Sequence, residues 1–181
     1  MKFNIIKILI LVHFKINDDN VLIAKSIKDV VRLASMGKDL VGSKVIFEGL
    51  IFTKKFSVYV SYIVNHGKLK MVSIINCIFK RECYYLLSVF ASVDLSITHC
   101  NLTAEEGLNV LLGISPYSLI SVDLSNNNLN YGKGKKQFLK EIKSCISTDC
   151  LSHLNISGNC FSPSDLSDLG NNDIIACHIF Q

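Results

Sequence analysis

Among its 181 residues the sequence has no tryptophan, two prolines, ten glycines and two arginines, Arg32 and Arg81. Collagen-like and proline-rich chains need several times more glycine and proline, so those classes are excluded. Charge is also sparse, at 19% of residues against 49% hydrophobic, which excludes intrinsic disorder as the main state. Long apolar runs are missing as well. The longest, Ile5 to Phe14, is interrupted by Lys7 and is well short of the roughly 18 to 20 residues that span a bilayer. His13, Phe14, Lys15 and Ile16 at its end supply no small-x-small cleavage site, so Leu9 to Ile16 reads as a buried strand and not as part of a secretory signal.

The chain is long enough for one domain with a sizeable core. Its net charge of +4 divides unevenly, about +8 over residues 1–90 and −4 over residues 91–181. Lysines spread along the chain, with almost no arginine, make a poor nucleic-acid footprint. The seven cysteines are an odd number without regular pairing, which points to reduced thiols and a cytoplasmic chain.

Self-similarity is the dominant signal. Leu119, Val122, Leu124, Asn127 and Leu129 fit L-x-x-L-x-L-x-x-N-x-L, with valine for the second leucine. Leu151, Leu154, Ile156, Asn159 and Phe161 fit it again. Leu95, Ile97, Cys100 and Leu102 follow the version with cysteine at the ninth place, beginning at Ser92, and Leu69, Val72, Ile74, Cys77 and Phe79 match throughout. A fainter copy begins at Leu11. Another begins at Gly42, which puts Val45, Phe47, Leu50 and Phe52 inside, whereas a start at Leu40 would bury Glu48. The starts near 11, 42, 69, 92, 119 and 151 give spacings of 31, 27, 23, 27 and 32 residues.

These residues resemble the leucine-rich repeat, and the spacing resembles its ribonuclease-inhibitor-like subclass. The resemblance implies a single α/β domain of about six repeats over residues 1–181. It would be a right-handed solenoid, or horseshoe, with parallel strands on the concave side and helices on the convex side. It also implies non-catalytic protein–protein recognition. Alternatives are a recognition segment of a larger enzyme, signalling receptor or bacterial effector, or a secreted, cell-surface or host-translocated repeat protein.

Local patterns agree with helices between the strands. Thr103 to Glu106 reads as a capping box, and Leu108, Leu111 and Leu112 fall on one helical face. Phe138, Leu139, Ile142 and Ile146 do the same, and Ser162 with Pro163 reads as a cap and first helical residue. Ser26 to Met36 and Arg81 to Phe90 are further helix candidates. Phe56 to Tyr62 conflicts with this scheme: it alternates with period two and is β-branched, so local preference favours strand while the repeat demands helix.

Alternation along the strands defines a candidate binding face. Its residues are His13, Lys15 and Asn17; Lys44, Ile46 and Glu48; Met71, Ser73 and Ile75; Asp94, Ser96 and Thr98; Ser121, Asp123 and Ser125; and His153, Asn155 and Ser157. Lys15, Lys44, Met71, Ile75, Asp94, Ser96, Asp123, His153 and Asn155 are the expected partner contacts. The partner expected is a protein, bound by a monomer, with neither nucleic acid nor membrane involved. Cys77, Cys100, Asn127 and Asn159 are expected to form a structural ladder that satisfies turn backbone groups.

Other chemistry is weakly signalled. Cys145, Cys150, His153, Cys160, Cys177 and His178 crowd the last third, but only Cys150-x-x-His153 has a zinc-like spacing, so no metal or other cofactor is expected. Gly132-Lys-Gly134-Lys-Lys lacks the earlier glycine of a phosphate loop, and Lys136 stands where Ser or Thr would bind the metal. It reads as a solvated loop.

Overall fold

The computed structural model describes residues 21–90, 93–114, 120–167, 169 and 175–176. Strands β1 (Val21–Ala24), β2 (Lys44–Glu48), β4 (Met71–Ile75), β6 (Asp94–Thr98), β7 (Ile120–Asp123), β8 (Leu151–Asn155) and β9 (Ile175–Ala176) form one seven-stranded sheet in which every pair is parallel. The short strands β3 (Ile51–Phe52) and β5 (Ile78–Phe79) pair separately. Helices α1 (Ile27–Met36), α2 (Lys54–Gly67), α3 (Tyr85–Val89), α4 (Ala104–Leu112), α5 (Lys135–Ser147) and α6 (Pro163–Ser167) connect the strands. No helix among the described residues is long and apolar enough to cross a membrane.

In β2 and β6 buried and half-exposed residues alternate, so one face of the sheet packs into the core and the other does not. The core is continuous. Strand residues Val45, Phe47, Val72, Ile74, Leu95, Ile97, Val122 and Leu124 meet helix residues Val30, Ile63, Leu87, Val110 and Phe138. Each helix from α1 to α4 packs on the next one along the chain.

The horseshoe expectation is corrected. The sheet is open and does not curl into a solenoid; the fold is a layered α/β sandwich, Rossmann-like in joining parallel strands through helices. Its strand order follows the chain and never reverses. The physical reason lies in relative widths. Packed helices stand 8–10 Å apart and paired strands about 4.8 Å apart, so a full helix at every step would force the sheet to curl. Here α3 and α6 have only five residues each, and a 3₁₀ turn at Arg81–Cys83 takes up the connection before α3. That connection belongs to the shortest sequence spacing, which leaves no room for a longer helix.

The first expected copy, starting at Leu11, lies almost wholly outside the described residues. The strand beside β2 is instead Val21–Ala24, with Leu22 opposite Val45 and Ala24 opposite Phe47 in the core. Ser26 then ends the strand by capping α1, its hydroxyl accepting from the Asp29 N–H. The Gly42 register is the one adopted: Val45, Phe47 and Phe52 are fully buried and Glu48 is half-exposed, paired with Lys25 at 2.9 Å.

Phe56 to Tyr62 is helical, within α2. The Thr53 hydroxyl caps the first turn by accepting from the Phe56 N–H, and Phe56, Val60, Ile63 and Val64 are buried at helical spacing. Tertiary burial thus overrides the local strand preference. Asp165 in α6 is tied back to α5 by Lys135 at 2.7 Å, and this contact, with Ser162, lowers its carboxyl to about 2.

One conformational feature recurs at the end of five strands. Gly49, Asn76, His99, Asn126 and Gly158 all have positive φ, between 52° and 69°. Asparagine, histidine and above all glycine tolerate this left-handed backbone. At Gly158 a Cβ would also run into the Asn126 side chain, whereas at Gly49 it would meet nothing within 4 Å. Gly158→Ala is therefore expected to lose about 2–3 kcal/mol of stability, and Gly49→Ala only the conformational part, about 1 kcal/mol. Urea unfolding of the two variants checks the order, and equal losses would contradict it.

Candidate functional site

The strand-end turns must satisfy backbone groups that no neighbouring strand reaches. The side chains that follow Asn76, His99, Asn126 and Gly158 do this. Asn127 Oδ1 accepts from the Cys100 N–H (3.0 Å) and the Leu102 N–H (3.2 Å), while its Nδ2 donates to the carbonyls of Ile97, Leu124 and Ser125. Asn159 Oδ1 accepts from the Leu129 N–H, and its Nδ2 donates to Leu124, Ile156 and Ser157. Thiols serve the earlier turns. The Leu50 N–H donates to Cys77 Sγ (3.4 Å), and the Cys77 N–H donates to Cys100 Sγ (3.3 Å). Each thiol donates in turn to carbonyls, Cys77 to Phe47 and Ile75, Cys100 to Ile74 and Thr98.

Burial penalises thiolates. It raises Cys77, and it pushes Cys100 and Cys145 up to about 12, with the neighbouring Cys150 adding to the effect at Cys145. These thiols are poor nucleophiles. Six described cysteines are free thiols, and of these only Cys160 is exposed. The buried carboxylate Glu106 is a cap: it accepts from the Thr103 N–H (2.6 Å) and hydroxyl (2.9 Å), and its hydrogen bond with Tyr84 pushes that phenol up to about 12.

The sheet face turned away from the helices carries a concavity built from several strands. An open groove of about 240 Å³ crosses β4, β6, β7 and β8 and is lined by Met71, Asp94, Ser96, Ser121, Asp123, His153 and Asn155. Strand register sets them in two rows. Met71 lies opposite Asp94, and Ser121 opposite His153; one step along, Ser73 lies opposite Ser96, Ser96 opposite Asp123, and Asp123 opposite Asn155. Two carboxylates are fixed by the backbone. Asp94 Oδ1 accepts from the Ser121 N–H (2.8 Å), standing in for a strand partner, and Asp123 Oδ1 accepts from the Ser125 N–H (2.9 Å). Asn155 Oδ1 does the same for Ser157 (3.1 Å).

Six of the nine expected contact residues, Met71, Asp94, Ser96, Asp123, His153 and Asn155, thus come together in one groove. Lys44 and Ile75 occupy the same face outside its lining, Lys44 opposite Met71 and Ile75 opposite Thr98. Lys15, with His13 and Asn17, lies outside the described residues. Sequence reasoning missed the anchoring of the two aspartates. For Asp123 the signal was present in the repeated D-x-S and N-x-S at Asp123–Ser125 and Asn155–Ser157, where an Asx side chain caps the amide two residues on; the bond of Asp94 to Ser121 crosses between strands and has no such local signal.

Other candidates are dispersed. Cys145 and Cys150 are buried, His153 is on the sheet face and Cys160 is exposed, while Cys177 and His178 lie outside the described residues. Among the described residues no three His, Cys, Asp or Glu side chains converge as a metal site requires. At Gly132–Lys136 the Lys135 amine is held by Asn130 and Asp165. A hollow of about 340 Å³ beside α5 is lined, among the described residues, by Lys136, Leu139, Lys140 and Lys143, all of that one helix.

Two outcomes test this geometry. Asn127→Ala should cost about 1–3 kcal/mol in urea unfolding, because buried amides lose their acceptor; a neutral change would mean the ladder bonds do not stabilise the turns. The raised thiols add a pH dependence. Cys100 and Cys145 rise from 9.0 to about 12 on folding, so the unfolded chain ionises first. Their contribution is complete below pH 9 and declines as pH rises toward 12. Serine at both positions should flatten the alkaline decline in melting temperature, and an unchanged slope would assign it to other groups.

No family model matches the chain, and neither a curated protein nor a solved structure matches it.

Proposed function

We propose that this chain is a non-catalytic interaction module of leucine-rich-repeat type that binds a protein partner on the uncovered face of its sheet. The observation that carries the reading is the groove across four strands, lined by Met71, Asp94, Ser96, Ser121, Asp123, His153 and Asn155. Five of these side chains are polar and half-exposed, while the core is assembled from the opposite side of the same strands. Ser96, Ser121 and His153 make no side-chain hydrogen bond among the described residues, so these places of the surface vary without disturbing the fold, which is what partner recognition requires.

The ladder of Cys77, Cys100, Asn127 and Asn159, spaced at 23, 27 and 32 residues, supports the kinship with leucine-rich repeats. Charge supports a protein partner over nucleic acid, since Asp94 and Asp123 would face phosphates with like charge. Free thiols at Cys77, Cys83, Cys100, Cys145 and Cys150, all buried, support a reducing, cytoplasmic setting.

The test fills the groove and leaves its turn bonds intact. Ser96 and Ser121 are half-exposed and their hydroxyls bind nothing among the described residues, so Ser96→Arg with Ser121→Arg should fold normally. The partner is recovered by affinity capture from a lysate and its affinity for each chain measured by calorimetry. A loss of tenfold or more is expected; undiminished affinity of the folded variant would place binding elsewhere on the molecule.

A further inference from the structure

Helix α5 ends in a Schellman motif. Asp149 turns left-handed at φ 51°, its N–H donates to the Ile146 carbonyl (3.2 Å), and the Cys150 N–H reaches back to the Cys145 carbonyl (3.2 Å). Such an ending is commonly closed by an apolar contact between these two positions, and here both are cysteines. The Cys150 thiol donates to the same Cys145 carbonyl (3.3 Å). Main-chain bonding of the two residues keeps their Cα atoms within the roughly 4.4–6.8 Å that a disulfide spans. Burial, then the charge and side-chain hydrogen bond of Cys150, push the Cys145 thiol up to about 12, a second mark of how near the two sulfurs lie.

This pair differs from the other buried thiols. Cys77 and Cys100 each accept a backbone N–H, so their sulfurs belong to the turn ladder. Among the described residues no backbone N–H donates to the sulfur of Cys145 or Cys150. The Thr148 hydroxyl lies 3.4 Å from Cys150 Sγ instead, placed to donate to a thiolate there. Both cysteines are buried without being sealed, at 4% and 3% exposed, which admits a small oxidant and excludes a bulky one.

We propose that Cys145 and Cys150 are an oxidative modification site, joined reversibly into a disulfide by a small hydroperoxide. The Cys150 thiolate attacks a peroxide oxygen; the O–O bond breaks, the sulfur is oxidised to a sulfenic acid, and the departing oxygen takes a proton and leaves as water or an alcohol. The Cys145 sulfur then attacks the sulfenic sulfur and gives its proton to the departing hydroxyl, so that the S–O bond breaks, the S–S bond forms and water leaves. Two thiols thus lose two electrons and two protons, and the peroxide gains both. A dithiol reductant returns the same number. The new bond fastens the end of α5 to Cys150, which stands one residue before β8 and whose carbonyl already accepts from the Ile120 N–H of β7 (3.3 Å). It acts on the frame behind the groove and is independent of what the groove binds.

The test uses the full chain carrying Cys160→Ser, so that the exposed thiol takes no part, treated with hydrogen peroxide near neutral pH. Digestion with trypsin and with a protease that cuts before aspartate separates the two cysteines, because Asp149 lies between them. Without reductant, Ser144–Thr148 is expected to remain joined to the peptide that begins at Asp149, two hydrogens lighter than the separate peptides, and dithiothreitol should release it. Amide exchange at Cys150 in the intact oxidised chain should slow at least fivefold. Cys145→Ser should halt the reaction at a Cys150 sulfenic acid, which dimedone traps. Should that variant fail to fold, Thr148→Val should slow formation of the joined peptide at least twofold. Cys150 joined to any other cysteine, oxidation without a joined peptide, or two thiols left unchanged by peroxide would overturn the site.

Discussion

Every strand of this sheet runs in the same direction and takes its place beside the strand before it. Parallel neighbours cannot be joined by a hairpin; the chain must cross back over the sheet, and such crossovers are almost always right-handed. When each crossover has one hand and each step goes the same way, every connection falls on the same side. The helices therefore form a single layer, from α1 to α5 in order, and among the described residues no helix covers the other face of the sheet. A doubly wound sheet reverses its order and opens a crevice at the strand ends where ligands bind. With no reversal, this chain has its usable surface on the sheet itself.

That bare face has to be polar enough for water and still hold its strands in register. The two demands meet in the same side chains. Asp94 supplies a hydrogen bond that β6 and β7 do not make at Ser121, and Asp123 and Asn155 close the turns that follow their strands. The groove is thus built from groups whose first duty is structural, and its geometry is inherited from the sheet.

Much of this was legible in the sequence, for reasons specific to each element. Apolar residues at fixed intervals located β2, β4, β6 and β8, because burial of alternate side chains is a local pattern. Thr103 to Glu106 announced α4, because a capping box is written in four residues. Phe56 to Tyr62 was ambiguous because its local preference and its tertiary environment disagree, and only the packing of Phe56 and Val60 against neighbouring strands decides it. The curl of the sheet was misjudged, since it depends on the balance between helix width and strand spacing, which the strand motif does not encode. The column Gly49, Asn76, His99, Asn126 and Gly158 was visible as letters, but its meaning is a dihedral angle shared by three residue types.

The ladder has a direction. Cys77 reaches back to Leu50, Cys100 to Cys77, Asn127 to Cys100 and Asn159 to Leu129, so each turn is completed by the unit that follows it in the chain. A ribosome delivers the units in the opposite sense of dependence. Every newly emerged turn waits, its amides hydrated, until some two dozen to three dozen further residues bring the side chain that closes it. Maturation of the domain is then a wave that trails synthesis by one unit, and a cut from the C-terminal side always leaves an unfinished turn behind, whereas a cut from the N-terminal side does not.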